Sequence, residues 1–350
     1  MSHLDILLPF SLPPPEMAPD LLRALNTPAF STLIARAKPH RRETLDAFSR
    51  ALPHETWLAR QFGLEIRLQA SGSPPVAPAM MQALDLTPDA GVWFVLHPVH
   101  LHIARDHLVL TNQRQLALSE QESRDLFDAA KPLFDEAGKP LLYGDARTWF
   151  VRADAWNDLR TATPDAASGH NIDIWMPQGA GERDWRKLQN EVQMHWHAHR
   201  VNAERESRNL KPVNSIWLWG GAPTAMIVAP SRYKEAFNLP GWMNALGQFA
   251  TRTAHGSTAS DVITMQPERG LLVIDTLIEP GLDGDWSTWL ERFHALETDW
   301  FEPLSAALKA GKIDQLSFIM THSTDLSEMT AGKQSLRKFW IKPSLARLAP

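Results

Sequence analysis

One stretch constrains this chain more than any other: Trp185–Gly221, WRKLQNEVQMHWHAHRVNAERESRNLKPVNSIWLWGG. Trp185, Leu188, Val192, Trp196, His199 and Ala203 recur at three- and four-residue steps, which places them on one face of a long helix. Asn190, Gln193, His197 and Arg208 fall on the opposite face. After a short polar turn, Ser215–Trp219 is uncharged and holds two tryptophans, as expected of a strand buried on both sides.

The rest of the chain supplies more strands and helices for such a strand to pack against. Asp5–Pro9 reads as an opening strand, followed by a proline-rich connection. Helical patterns cover Pro19–Lys38, Arg42–Ala51 with Thr44 as its cap, Glu55–Gly63 and Ala79–Leu86. Val92–Leu96 and Leu108–Leu110 read as strands around a histidine-rich middle. Ser119–Glu136 is a helix opened by a Ser119/Glu122 capping box. Pro140–Tyr143 and Trp149–Arg152 read as a hairpin, and Ala225–Ala229, Asp261–Met265, Leu271–Thr276, Leu316–Thr321 and Leu336–Ile341 as strands. Tyr233–Phe249 is mostly helical in pattern, and Asp285–Ala310 is a long amphipathic helix. Strands alternating with long helices after Val92 predict an α/β fold, a mixed sheet flanked by helices. The first ninety residues predict a helix-rich N-terminal part, giving segments 1–90 and 91–350.

Several function classes are disfavoured by composition. A net charge of -5 argues against a general nucleic-acid or anionic-membrane binder. Zero cysteines remove disulfides, thiolate nucleophiles and cysteine-based metal sites, and fit a reducing compartment. The N-terminus lacks a signal-peptide pattern, and no apolar run is long enough to span a membrane, so the expected location is cytoplasmic. The 14 tryptophans sit mostly in apolar-periodic contexts, which favours bulk filling of the core over a stacking platform for bases.

Chemistry-bearing residues gather at a few places. His97, His100, His102 and His107 form one histidine cluster, and His195, His197 and His199 another. His100 and His102 share a strand face, and His195 and His199 stand one helical turn apart. That spacing can place imidazoles on one metal. The cluster lacks the Glu of a His-Glu-x-x-His motif, and His199 falls on the face expected to be buried. A histidine hydrogen-bonded inside the core is the favoured reading there. Gly220 and Gly221 follow a strand, where backbone N–H groups can meet an anion or merely allow a tight turn. Asp275 ends LLVID and His322 follows LSFIM, the strand ends at which α/β sheets present ligand groups. Asn190, Gln193 and His197, with Asn202 and Arg205 beyond them, form a polar helix face able to line a pocket. Arg205, Arg208 and Lys211 add positive charge suited to phosphate or carboxylate. The competing reading is an ordinary solvated face.

The segment NEVQMHWHAHRVNAERESRNLKPVNSIWLWGGAP resembles a proteobacterial family labelled either cofactor-independent phosphoglycerate mutase or RpfE-type regulatory protein. The match rests on Asn190, Glu191, Gln193, Met194, His197, His199, Val201, Asn202, Arg205 and Glu206, then Pro212, Val213, Asn214, Ser215, Trp217, Trp219, Gly220 and Gly221. WFVLHPVHLHIARDHLVL is similar to the same family through Pro98, Val99, His100, Leu101, Asp106 and His107. Arg200 and Ala222 depart from it, standing where a proline and a third glycine are usual. The mutase label implies an alkaline-phosphatase-like fold, two divalent metals and a serine nucleophile. DILLPF lacks the strand-end Asp-Gly of those mutases, and no Asp-x-x-x-His or His-Asp-x-x-Gly-His set is present.

The resulting expectation is a degenerate, phosphoglycerate-mutase-like regulatory or small-anion-binding protein. Its ligand groups would be Asn190, Gln193, His197, Asn202, Arg205, Asn214, Gly220 and Gly221, and its partner a small anion or a protein. No nucleic acid or membrane is expected to bind. The alternative is an active metal-dependent phosphoesterase or mutase. It would use Mn or Zn, with Asp275 and His322 as catalytic groups and His100 and His199 as metal ligands. No cofactor is required by the first reading.

Overall fold

The computed structural model describes residues 2–64, 70–226 and 231–349. Its named strands, in chain order, are β1 (His3–Leu8), β2 (Lys38–Thr44), β3 (Val92–Val99), β4 (Leu101–Ala104), β5 (His107–Leu110), β6 (Leu141–Asp145) and β7 (Thr148–Arg152), then β8 (Ser215–Pro223), β9 (Glu235–Phe237), β10 (Arg252–Ala254), β11 (Gly270–Val273), β12 (Gln315–Thr321) and β13 (Asp325–Gly332). The chain separates into two compact units. One comprises Met1–Ala47, Leu52–Phe62 and Pro230–Pro350, and the other Phe48–Ala51 and Gly63–Ala229. This division differs from a boundary at residue 90, because the opening strand pairs with strands from the last third of the chain.

The first unit holds a seven-stranded mixed sheet of order β10-β9-β11-β1-β12-β13-β2. β1 lies between β11 and β12, parallel to both, and Leu4, Ile6, Leu7 and Leu8 are fully buried. β12, β13 and β2 continue the sheet antiparallel. Helix Pro28–Arg36 packs its Phe30 ring, stacked at 4.2 Å, on Phe301, with Phe293 and Phe318 alongside. The Asp285–Ala310 pattern is realised as helices Trp286–Leu296 and Glu302–Ala310 joined by a π turn at Glu297–Phe301. The buried Glu297 carboxylate accepts the N–H groups of Ala29 and Phe30, satisfying donors that a helix N-terminus leaves open.

The second unit is built on an antiparallel sheet of order β6-β7-β3-β8, with the small β4–β5 hairpin beside it. Helices Glu120–Glu136 and Glu182–His197 pack on it, and Trp149 meets Trp196 edge to face at 5.8 Å. Trp196 Nε1 donates to the Leu126 carbonyl and Trp149 Nε1 to Ser123. Ten of the 14 tryptophans are buried across the two units, so indole serves as core bulk.

Several local expectations are corrected by tertiary pairing. Arg42–Ala51 is not a helix: residues through Thr44 form the edge strand β2, and Thr44 bonds Asp325 on β13 at 2.7 Å instead of capping a helix. Asp261–Met265 lies in helix Ala259–Met265, opened by a Thr258/Asp261 capping box. Tyr233–Phe249 gives β9 and only short helical turns, and Leu336–Ile341 ends a short helix rather than forming a strand. Pro19–Lys38 is split by Pro28 into two helices, followed by β2. Of the Ala225–Ala229 strand, Ala225 is in a turn and residues 227–229 lie outside the described residues.

Candidate functional site

In the first unit the carboxyl ends of β1, β11 and β12 are where the sheet topology presents side chains. The chain leaves β1 through Pro9 and Phe10, and Phe10 takes a left-handed backbone, φ 57°. That conformation is unusual for a bulky residue. It is held at both ends: the Phe10 N–H reaches Thr321 Oγ1 at 3.4 Å, and the Phe10 carbonyl accepts Trp289 Nε1 at 2.8 Å. The ring is buried, edge-on to His54 at 6.1 Å and to His322 at 5.7 Å. A methyl group on Gly281 would stand 2.6 Å from it, so glycine there makes room for the ring.

His322 follows β12 as expected from the sequence. Its Nδ1 meets Ser323 Oγ at 2.8 Å, while Nε2 is buried and has no hydrogen-bond partner among the described residues. Burial pushes the imidazole down from its ordinary value, against the weaker pull of Asp325 and Glu16, so it is neutral at pH 7. Asp275 follows β11, half-buried. β11 and β12 flank β1, which puts these two strand ends two ladder spacings apart, about 10 Å. No hydrogen bond or ion pair joins Asp275 and His322 among the described residues, so they do not meet as an acid–base pair. Nor does any group of three His, Asp or Glu side chains among the described residues converge as metal ligands would. Among the described residues the donors for a divalent-metal centre do not assemble.

In the second unit, the helix Glu182–His197, the β4–β5 hairpin and the start of β8 enclose a cleft of about 400 Å³ lined by Leu101, Leu108, Gln193, Met194, His197 and Asn214. Gln193, His197 and Asn214 are three of the sequence-predicted ligand groups, brought together here. Gln193 Nε2 donates to Ser215 Oγ at 2.8 Å. Asn214 is fixed by two 2.8 Å bonds to the Leu101 backbone, one accepted and one donated. Sequence reasoning missed the apolar lining and Gln189, a buried amide that bonds Ser215 Oγ and the Ile216 carbonyl and so sets the helix against β8. The signal for Gln189 was its position one residue beyond Leu188 on the apolar face. Ile103 and Met194 stand exposed at 76% and 75%, giving this region an apolar surface.

The other candidates have structural occupations. The predicted single helix ends at His197, and His199 caps a second helix, Arg200–Ser207, by accepting the Val201 N–H. His195 and His199 therefore do not share a helix face, and the proposed imidazole pair is lost. His100 Nδ1 is 2.8 Å from the Pro212 carbonyl, and burial holds its ring below its ordinary value despite that bond. Asn202 is buried; its amide donates to the Trp196 and Val213 carbonyls and accepts the Val213 N–H, closing the break between the helices. Arg205 is fully buried and donates to the Lys211, Ala117 and Leu116 carbonyls and to Glu122. Arg208 pairs with Glu122 at 3.5 Å, and Lys211 bonds Gln115. Of the positive charge expected to meet an anion, Arg205 is spent inside the protein, while Arg208 and Lys211 make surface contacts. Asn190 is exposed and lies outside the cleft lining.

Gly220 and Gly221 do not form an anion nest either. β8 runs on through them to Pro223, with a register shift opposite Trp93 and Val95. Gly220 adopts φ 70° and its N–H donates to Ser73 Oγ at 3.0 Å. A methyl on Gly221 would lie 2.2 Å from the Phe94 ring.

Comparison with known proteins places the chain as follows. No family model matches it. Over 181 residues it is 26% identical to a probable 2,3-bisphosphoglycerate-independent phosphoglycerate mutase of Geobacter sulfurreducens, a match covering 51% of this chain and 44% of that protein. The chain thus spans less than half the length of that relative. The cofactor-independent phosphoglycerate mutase of Thermoplasma acidophilum superposes with TM-score 0.50 at 14% identity, covering 99% of this chain and 94% of the other. The PH0037 protein of Pyrococcus horikoshii gives 0.53 at 12% identity, covering 95% and 87%. At such identities the likeness speaks for architecture. The chain has the α/β fold of the cofactor-independent phosphoglycerate mutases, a mixed sheet flanked by helices.

Proposed function

We propose that this is a phosphoglycerate-mutase-like protein that has given up metal-dependent turnover and works in the cytoplasm as a regulatory protein, by binding a small ligand or a protein partner. Kinship with the mutases is supported by the partial sequence match and the shared fold. The observation that carries the loss of turnover is the end of β1. Pro9 and Phe10 stand there, the Phe10 ring packs against His54 and His322, and no three ligating side chains among the described residues converge. A two-metal centre needs several oxygen and nitrogen donors, and these residues do not supply them. Binding through the cleft at Gln193, His197 and Asn214 is supported by its concave, apolar lining with a few fixed polar groups. Among the described residues no helix is long and apolar enough to cross a membrane.

The alternative, an active metal-dependent phosphoesterase or mutase, has one observation in its favour: the unpartnered, buried Nε2 of His322. The test is metal content of the purified protein, together with mutase and phosphatase assays in added manganese or zinc. The expected result is neither stoichiometric metal nor turnover. Near-stoichiometric metal, lost together with activity in Asp275→Ala and His322→Ala, would overturn the proposal.

A further inference from the structure

The middle of β1 carries an anomaly: Asp5, buried at 5% exposure among aliphatic neighbours on a central strand. A carboxylate there persists only if it is bonded. Its Oδ2 accepts both Arg232 Nη2 and the Tyr233 hydroxyl at 2.7 Å, and its Oδ1 meets His3 Nε2 at 2.9 Å. Burial pushes this carboxyl up, but the bonds from His3 and Tyr233 and the charges of His3 and Arg232 outweigh it, and the group stays ionised. Tyr233 is driven well above its usual range, by burial first and by Asp5 next, and is a neutral donor.

Beside this cluster lies a cavity of about 290 Å³ lined by His3, Asp5, Arg232, Tyr233, Arg269 and Gly270. The Arg232 guanidinium is fixed from two sides. Asp5 and the Tyr233 hydroxyl hold its Nη2, and its carbon lies 4.9 Å from the Tyr233 ring centroid. Its Nε and Nη1 donate to none of the described residues. The Arg269 guanidinium forms no hydrogen bond or ion pair among the described residues either; its carbonyl accepts the Lys234 N–H, and its neighbour Glu268 is paired with the Lys234 side chain. With Asp5 offset by Arg232, one guanidinium charge faces the cavity unbalanced. The cluster is not a hydrolytic triad. Ser317 Oγ and Asp5 Oδ1 approach the same imidazole nitrogen of His3, whereas a triad uses opposite nitrogens.

We infer that this cavity, at the amino end of β1, is a binding site for a small oxyanion, a phosphate or carboxylate group gripped by Arg232 and Arg269, with Asp5 and Tyr233 as positioning residues. A pre-fixed guanidinium with free N–H edges is suited to planar, bidentate recognition of such groups. The site is separate from the strand ends and from the Gln193 cleft, and it stands whether or not the protein turns over a phosphate ester.

The experiment is calorimetric titration of the intact protein with inorganic phosphate and, separately, acetate, at constant ionic strength set with chloride. Saturable binding of either anion is expected, weakened roughly tenfold or more by Arg269→Ala, since charge-assisted hydrogen bonds are worth about 1.5–3 kcal/mol. Arg232→Lys should weaken it too, because a point charge does not replace a fork. Phosphate without acetate would assign a phosphoryl ligand, and both together a general oxyanion site. Arg269 is exposed, so its variant tests the idea without threatening the fold. No saturable binding of either anion, or binding indifferent to Arg269→Ala and Arg232→Lys, would overturn the inference.

Discussion

Arg205 donates to three backbone carbonyls and to Glu122 with no side-chain surface exposed. Replacing it by methionine strands those carbonyls and leaves Glu122 with only Ser119 and Arg208, and the expected loss is about 3–5 kcal/mol in urea unfolding. His197→Ala, on an exposed position of the cleft, should stay within about 0.5 kcal/mol of wild type. Those opposite outcomes separate a structural residue from a binding one. Buried imidazoles give a pH signature. Burial pushes His97 down, although the Arg147 carbonyl and Asp145 pull the other way, and His322 is likewise depressed. Below the unfolded value of about 6.5 the unfolded chain binds protons that these folded rings refuse, so stability falls as pH drops from 7 toward 5. Denaturation midpoints at the two pH values check this, and His322→Gln should reduce the slope. The sequence showed which polar residues were unusual but not whether their bonds were already taken. The guanidinium of Arg205 and the amide of Asn202 find partners among backbone carbonyls distant in the chain, or across a helix break, and no spacing rule marks those.

Secondary-structure elements with strong local signals were legible: β1, the hairpin β6–β7, helix Glu120–Glu136 with its capping box, and the strand Ser215–Trp219 within β8. Elements whose identity depends on a distant neighbour were not. β2 is polar and exposed along most of its length, and it is a strand because β13 offers it an edge. The helix break at Ala198 was hidden because the apolar period carries straight through His199 and Ala203. The polar bonds of Asn202 fix the break, and Asn202→Ala should cost about 2–3 kcal/mol in the same unfolding assay. Gly221→Ala should also destabilise, by about 1–3 kcal/mol, because the added methyl must displace the Phe94 ring.

At the level of the molecule, the α/β class followed from alternating patterns, but the division into units did not. A linear reading places boundaries where composition changes. Here the second unit draws nearly all of its residues from 63–229, between two stretches that together make the first. A fragment of residues 63–229 should unfold cooperatively and resist proteolysis by itself. Residues 91–350 should not, having lost β1 from the centre of the large sheet. Limited proteolysis of the two fragments decides the matter.

The position of β1 also sets a timetable. This strand is made long before its two partners, β11 and β12, which begin at Gly270 and Gln315. At roughly 5–20 residues per second, an aliphatic strand destined for the middle of a sheet waits tens of seconds for company. The insert between can fold meanwhile, so the nascent chain carries a finished globule and an unpaired apolar strand. Synthesis of this protein should therefore lean on holding chaperones that grip β1 until β11 and β12 emerge, and its yield should suffer most where translation is slowed after the insert.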